Sequence, residues 1–297
     1  MNKLVSAIEI IPSVNFHLWE PCNMDCGFCF ATFQDVKSSI LPKGHLPKDK
    51  AIEIVKQLAG FGFEKITFAG GEPTLCPWLP ELIILAKELG MTTMIISNGT
   101  KLSDDFLKKN KTHLDWIGLS IDSLNEFSNI KIGRALQGKR PLLREHYYSL
   151  IERIRVNNYK LKLNTVINRF NYNESFVDFI EFAKPKRWKV MQVLPIEGQN
   201  DNKVDEYIIS NEEFDLFLDR HKHINSLVSE DNSQMISSYA MIDPSGRFFE
   251  NSLGRHKYSS PILEVGVQDA YNSMEYNYGK FLERGGIYDS LIKTEIA

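Results

Sequence analysis

The chain has 297 residues, 35 basic against 38 acidic side chains for a net charge of −3, and 43% hydrophobic residues. That suits one large domain or two small ones, and the even charge excludes a global field for nucleic acid or an anionic membrane, so any anion site must be local. Four cysteines make no disulfide scaffold, no apolar run approaches the ~20 residues of a membrane span, and "MNKLVSAIEIIPSVNF" lacks a signal-peptide layout and is too short for an amphipathic anchor, so a cytoplasmic protein is expected.

Strands and helices alternate as far as residue 195. "SVNFH" (13–17) reads as a strand running into a cysteine loop. Ala51, Ile54, Val55 and Leu58 fall at i, i+3, i+4, i+7 and predict a helix over 47–59. "KITFA" (65–69) is a strand ended by Gly70-Gly71. Leu82, Leu85, Ala86 and Leu89 repeat the helical stripe, and Gly90 stops it. "TTMIIS" (92–97) closes on the turn Asn98-Gly99, and "LDWIGLSID" (114–122) is the next strand. Residues 122–141, rich in Asn, Gly, Lys and Arg, read as a long loop of the kind that often serves function. A helix over 142–157 precedes two strands, "KLKLNTVIN" (160–168) and "RWKVMQVL" (187–194), with a helix between them marked by Phe176, Phe179, Ile180 and Ala183. Beyond 195 the pattern changes to a helix (211–222), a hairpin at Asp243-Pro244-Ser245-Gly246 and a last helix ending near Arg284-Gly285-Gly286. The alternation predicts an α/β fold with a parallel sheet, open or barrel-like, over 1–195, capped by an α+β extension over 196–297.

"EPCNMDCGFCF" places Cys22, Cys26 and Cys29 as C-x3-C-x2-C. Structural zinc wants four ligands and would have to recruit His17 or Cys76, whereas zinc cysteines usually come as two close pairs. Three thiolates on a short loop suit an iron–sulfur cluster, with one iron left open when it is a four-iron cubane. Cys76, ahead of Pro77 at a helix start, reads as a buried thiol. Charge at period two marks a second feature. Lys162, Asn164 and Val166 share one strand face, and Arg187, Lys189 and Met191 share another. Parallel β/α strands are covered on both faces, and burying such cations alone is costly. Internal acids or a bound polyanion would answer the cost, and converging lysines and arginines, with Lys65 among them, favour a triphosphate.

The cysteine spacing, with Phe28 before the last cysteine and the loop directly after the first strand, resembles the radical S-adenosylmethionine (SAM) superfamily, and "FAGGEP" (68–73) adds its second mark. That resemblance implies a partial, six-stranded (β/α)6 barrel with a 4Fe-4S cluster on Cys22, Cys26 and Cys29. It implies SAM held by Phe28, by Gly70, Gly71, Glu72 and Pro73 at the methionine amino group, and by Ser97, Asn98 and Ser120 at its ribose, adenine or carboxylate. Apart from Phe28 in the cysteine loop, those positions end strands, where β/α barrels keep their chemistry. Asn98 reads equally well as a turn residue.

Six blocks in order, "SVNFHLWEPCNMDCGFCF", "FAGGEP", "LNTVINRFN", "RWKVMQVLPIEGQN", "ISNEEFDLFLDRHK" and "ILEVGVQDA…FLERGG", resemble the viperin family over about residues 13–288, most of all its prokaryotic members. The resemblance implies an antiviral radical SAM enzyme that abstracts the ribose 4′-hydrogen of a nucleoside triphosphate. Loss of the 3′-hydroxyl as water would then give a chain-terminating 3′-deoxy-3′,4′-didehydro nucleotide, with electrons from an external flavodoxin- or ferredoxin-like donor. It places the triphosphate on Lys162, Arg187, Lys189 and Arg284, and Asn164 near the substrate. Tyr239 and Arg284 would lie in the part that closes over the nucleotide, and Asn15, Thr67 and Ala69 near the base. The animal proteins carry asparagine and serine where Thr67 and Ala69 stand, so CTP, UTP and GTP all remain open as substrates. The insert 34–46 also departs from the family and has no assigned role. Expelling hydroxide calls for a general acid, for which Tyr239 is the candidate, although a buried tyrosine also reads as a packing residue. Two other readings compete. Peptide-modifying or GTP-cyclising radical SAM enzymes carry further C-terminal cysteines, and none follows Cys76. A non-catalytic cluster-binding scaffold would have broken cofactor motifs, and these are intact. No nucleic-acid or membrane partner is expected.

Overall fold

The six expected strands form and lie side by side in chain order, each parallel to the next. They are β1 (Ser13–Trp19), β2 (Lys65–Gly70), β3 (Thr92–Ser97), β4 (Trp116–Ser120), β5 (Lys160–Ile167) and β6 (Arg187–Gln192). The computed structural model describes residues 10–201 and 203–288; most of the stretch weighed above as a membrane anchor (1–9) and the end of the C-terminal extension (289–297) lie outside the described residues. No helix among them is long and apolar enough to cross a membrane.

Helices cover the outer face of the strands because each carries one apolar stripe. In α1 (Lys48–Phe61) the buried residues are Ala51, Ile54, Val55 and Leu58. In α2 (Leu79–Glu88) they are Leu79, Leu82, Ile83 and Ala86, while Leu89, part of the sequence stripe, ends exposed at the C-cap. After α3 (Asp104–Asn110), the segment read as a loop folds into α4 (Glu126–Lys131), capped by the Asn125 side chain, and a small ribbon pairing Ala135–Leu136 with Arg140–Pro141. Neither piece is long enough to show a hydrophobic period. In α5 (Arg144–Val156), Tyr147, Leu150, Ile151 and Ile154 are buried against the core. Burying each such side chain contributes about 1.5–3 kcal/mol, which outweighs the weak helix preference of isoleucine. Two more helices follow, α6 (Val177–Ala183) and α7 (Asn211–His221), the latter started by a reciprocal Ser210–Glu213 capping box.

The residues beyond 195 lengthen the sheet at both edges. β7 (Leu227–Glu230) adds parallel to β6, and β8 (Ala240–Ile242) adds parallel to β1. The hairpin at Asp243 links β8 to β9 (Arg247–Glu250), which pairs with β10 (Lys257–Pro261), both antiparallel. The Asp243 carboxylate accepts hydrogen bonds from Ser245 N, Ser245 Oγ and Arg247 N, which fixes the turn. Among the described residues, ten strands therefore form one mostly parallel sheet in the order β10-β9-β8-β1-β2-β3-β4-β5-β6-β7. It is not a closed barrel: β10 and β7 are its two edges, and the six central strands carry the cavity described next.

Candidate active site

On the concave side of the central strands lies a cavity of about 610 Å³. Strand alternation explains its wall. Ser13, Asn15 and His17 of β1 face it, as do Lys65, Thr67 and Ala69 of β2, Lys162, Asn164 and Val166 of β5, and Arg187, Lys189 and Met191 of β6. The intervening residues, such as Leu161, Leu163, Trp188 and Val190, are buried in the apolar core on the other side.

One end of the cavity is the cysteine loop. Cys22, Cys26 and Cys29 all line it, and none is disulfide-bonded. Burial pushes the three thiols up to about 11, while the Arg134 guanidinium opposes that shift at each of them. Among the described residues no three His, Cys, Asp or Glu side chains converge on a single-ion cage. A zinc site needs such a cage, whereas a cubane spreads its three thiolates over three irons. Three free thiols from one short loop, all lining one end of the cavity, are a donor set that fits a cluster. His17, the histidine zinc would have recruited, is instead buried edge-on among Phe30, Phe33 and Phe249 and held neutral by that burial, its ring pushed down to about 3. Cys76 is buried away from the cavity, its thiol pushed up to about 12 by desolvation.

The glycine pair after β2 lets backbone meet backbone. A Cβ on Gly71 would stand 2.1 Å from Glu20 O and 2.6 Å from Pro21 O, and Gly71 N donates to Trp19 O at 2.6 Å. The end of β2 thus packs directly on the chain entering the cysteine loop. Glu72 and Pro73 do not line the cavity. The Glu72 carboxylate is buried and fully engaged, accepting from Thr74 N (3.0 Å), Thr74 Oγ1, Ser97 Oγ (2.8 Å) and Asn98 N (2.7 Å). Desolvation raises its pKa and those hydrogen bonds oppose the rise. It ties the end of β2 to the end of β3. Asn98 lines the cavity and also shapes its turn. Its Oδ1 accepts from Thr100 N (3.0 Å), and its Nδ2 donates to Asn23 Oδ1 (2.8 Å) on the cysteine loop. Phe28 lines the same end and Ser120 the end of β4, where Ser120 O accepts from Arg134 Nη1 at 3.3 Å.

The other end is cationic. Lys65, Lys162, Arg187, Lys189 and Arg284 are all buried and all line it. Glu230, fully buried at the end of β7, stands 2.9 Å from Lys189 Nζ and 3.6 Å from Arg284 Nη1. It also accepts the Tyr239 hydroxyl hydrogen bond, and Lys189 donates to the same hydroxyl. Arg284 stacks on the Tyr239 ring at 3.6 Å and donates to Ser238 O through Nε and Nη2. Arg187 Nη2 reaches Arg284 O at 2.9 Å, and Tyr288 lies under Lys65 and Arg187. Desolvation, then the like charges of Lys189, Lys65 and Arg187, holds Lys162 well below the usual lysine range. Lys189 is lowered to about 8 by desolvation, with Glu230 opposing. Arg187 Nε and Asn164 Oδ1 are buried without a hydrogen-bond partner among the described residues. Such groups are costly unless a ligand satisfies them.

Every residue expected from the sequence to hold the cluster, SAM or the nucleotide, except Glu72 and Pro73, therefore lines this one cavity. The insert 34–46 straps its mouth: Gln34 and Lys37 line it, Asp35 pairs with Arg247 at 2.7 Å, and Leu46 N donates to Pro244 O. Sequence reasoning missed Glu230 and Arg134, and neither carried a usable signal.

A model described as the radical SAM superfamily matches residues 19–208. A protein of Lacinutrix mariniflava named S-adenosylmethionine-dependent nucleotide dehydratase is 61% identical over 96% of this chain, which spans 60% of that protein's length. One of the same name from Flammeovirga pacifica is 58% identical over 97% of this chain and 99% of its own length. The Danio rerio S-adenosylmethionine-dependent nucleotide dehydratase RSAD2 is 37% identical over 93% of this chain and 77% of its own length. Among solved structures, anSMEcpe with bound AdoMet superposes with a TM-score of 0.64 at 15% identity, covering 91% of this chain and 82% of that one. Streptococcus suis SuiB bound to S-adenosylmethionine gives 0.60 at 15%, covering 80% and 59%. Both share the fold.

Proposed function

This chain belongs to the radical SAM superfamily and, within it, to the S-adenosylmethionine-dependent nucleotide dehydratases, and from that premise we propose that it dehydrates the ribose of a nucleoside triphosphate to a 3′-deoxy-3′,4′-didehydro nucleotide. The supporting observation is the two-ended cavity, with thiols at one end and, at the other, buried cations whose Arg187 Nε lacks a partner among the described residues. When bound, the 4Fe-4S cluster and SAM supply hydrogen-abstracting radical chemistry, for which the protein provides binding, orientation and shielding.

Cys22, Cys26 and Cys29 hold the cluster. The backbone of Gly70 and Gly71, with Phe28, Ser97, Asn98 and Ser120, lines the SAM site, and Glu72 positions it from behind by joining the ends of β2 and β3. Lys65, Lys162, Arg187, Lys189 and Arg284 take the triphosphate through charge-assisted hydrogen bonds. Anchoring the phosphates on strands rather than loops fixes the ribose, which is decisive because radical transfer demands close approach. Asn164 turns its unpartnered Oδ1 to the sugar, and Asn15, Thr67 and Ala69 flank the base. Tyr239 is the general acid for the departing hydroxyl, its O–H held between Lys189 and Glu230. The electron comes from a separate flavodoxin- or ferredoxin-like protein.

Two outcomes follow at these residues. Tyr239→Phe keeps SAM cleavage but lowers dehydrated product per 5′-deoxyadenosine by roughly a hundredfold; an unchanged ratio removes the tyrosine from the role. The second concerns pH. Lys189 and Lys162 have lowered pKa values in the ligand-free cavity, and an incoming triphosphate raises both, so binding takes up protons wherever the free lysines are neutral. Nucleotide affinity measured with SAM and without reductant therefore falls as pH rises through about 8. The slope is up to roughly tenfold per pH unit for each lysine involved. A flat profile contradicts this placement of the phosphates.

The assignment itself is tested anaerobically. The reconstituted protein receives dithionite and SAM with CTP, UTP, GTP or ATP in turn. At least one nucleotide should stimulate 5′-deoxyadenosine release and yield a product lighter by one water. Stimulation by none removes the nucleotide substrate while leaving the superfamily membership intact.

A further inference from the structure

The segment first read as a long loop covers the outer side of the cysteine loop. Asp25 N donates to Gly133 O and Gly27 N to Ile132 O, each at 3.1 Å, Gln137 N donates to Asn23 O at 3.1 Å, and Met24 bridges to Leu136. The fit is close enough that a Cβ on Gly133, whose φ is +77°, would stand 1.9 Å from Asp25 O. From inside the segment, Arg134 reaches the buried Asp122 next to the cysteines. Its outer side is unlike the rest of this acidic chain. Lys131, Lys139, Arg140 and Arg144 are exposed in the segment, whose one exposed carboxylate is Glu126; Glu145 lies just beyond, Asp25 is paired to Lys203, and Asp205 and Glu206 are exposed beside Tyr207, whose hydroxyl donates to Lys131 O. Among them stand three large apolar side chains that water would be expected to cover poorly: Phe127 at 66% exposure, Ile130 at 45% and Leu143 at 49%. Lys131 lies over the Phe127 ring at 5.4 Å.

Exposed apolar side chains among a local excess of cations mark a transient protein-binding face, and the cations select an acidic partner and speed its arrival. We propose that α4 and the adjoining ribbon form the docking face for a small acidic one-electron carrier protein, which delivers its electron to the cysteine loop beneath. The step is a single outer-sphere transfer: the carrier is oxidised by one electron, the cluster is reduced by one, and no bond forms or breaks. The proposal rests on the reading of the cavity as a radical SAM site and specifies where its reductant binds.

The test compares two reductants on the holoenzyme, dithionite and an acidic flavodoxin kept reduced by its NADPH-dependent reductase. In the unaltered protein, 5′-deoxyadenosine release driven by flavodoxin should fall steeply with added NaCl, release driven by dithionite should not, and flavodoxin binding read by calorimetry in the absence of SAM should weaken in parallel with salt and in the variants below. The triple variant Lys131→Glu, Lys139→Glu, Arg140→Glu should lose at least about tenfold of the flavodoxin-driven rate at low salt and keep the dithionite-driven rate. The milder pair Lys139→Gln and Arg140→Gln should show a smaller loss with the same selectivity, which guards against a folding artefact. A salt-independent flavodoxin rate, an unchanged rate in both variants, or an equal loss with both reductants overturns the proposal. So does a concentration-dependent dimer that the charge reversal breaks, since the face would then belong to a second copy. Absence of dithionite-driven release in the unaltered protein overturns the functional reading itself, and this proposal with it.

Discussion

Cys29→Ala is expected to abolish SAM cleavage while leaving the polypeptide folded. The thiol lines the cavity and is only partly buried, and burial keeps it protonated in the apo protein, with a pKa raised to about 11. It therefore acts there as a small neutral side chain, and its backbone N–H still donates to Cys26 O at 3.1 Å after substitution. Truncation should cost no more than about 1 kcal/mol of apo stability, as for other substitutions away from special interactions. The cluster has no such tolerance. With two thiolates remaining, a cubane loses one of its protein ligands, and the chemistry belongs to that cofactor. After identical anaerobic reconstitution the variant should hold little iron, lack the brown charge-transfer absorption and release no detectable 5′-deoxyadenosine. Its denaturation midpoint without iron should match that of the parent. Parental iron content and activity would remove Cys29 from the ligand set.

Glu230→Leu should be the most destabilising single change in the cavity. The carboxylate is fully buried between Lys189 at 2.9 Å and Arg284 at 3.6 Å, and it accepts the Tyr239 hydroxyl. Removing one member of a buried ionic set costs about 3–5 kcal/mol, because the charges left behind are neither hydrated nor compensated. Here the stranded groups already sit beside Lys162 and Arg187. The same reasoning gives an unusual rescue. Inorganic tripolyphosphate binds only the folded cavity and supplies the missing negative charge, so it should raise the variant's melting temperature by more than it raises the parent's. Glu230→Gln, which keeps an acceptor but not the charge, should fall between the two. A leucine variant as stable as the parent, or one that tripolyphosphate does not favour, would contradict the assignment of this end of the cavity to phosphates.

Glu230 carries no local signal in the sequence. It ends a four-residue strand, Leu-Val-Ser-Glu, too short for a period, and it meets Lys189 only because β7 pairs with β6. The cations it serves were legible for the opposite reason. Lys162 and Asn164, like Arg187 and Lys189, lie on strands long enough for alternation to fix which side they face, and parallel strands covered by helices leave a charged face no exit to solvent. The register then sets them across from one another, Lys162 beside Arg187 and Asn164 beside Lys189. The cysteines and the glycine pair were legible through family resemblance, but their local physics was not. That Gly71 is needed for contact with Glu20 O, and that the Glu72 carboxylate faces β3 rather than the cavity, depend on contacts between distant segments. Arg134 was hidden inside a segment that read as loop, since six residues of helix and a two-residue ribbon leave no hydrophobic pattern. The hairpin at Asp243 announced itself through its turn residues, but the parallel pairing of β8 with β1 had no local signal.

The proposed function requires that cations at the far end of the cavity hold the triphosphate so that the ribose faces the cofactor end. A nucleoside triphosphate deuterated only at C4′, turned over with SAM and dithionite under anaerobic conditions, tests it most directly. Deuterium should appear in the released 5′-deoxyadenosine and be absent from the dehydrated nucleotide; unlabelled 5′-deoxyadenosine formed alongside a product that keeps its deuterium would contradict it.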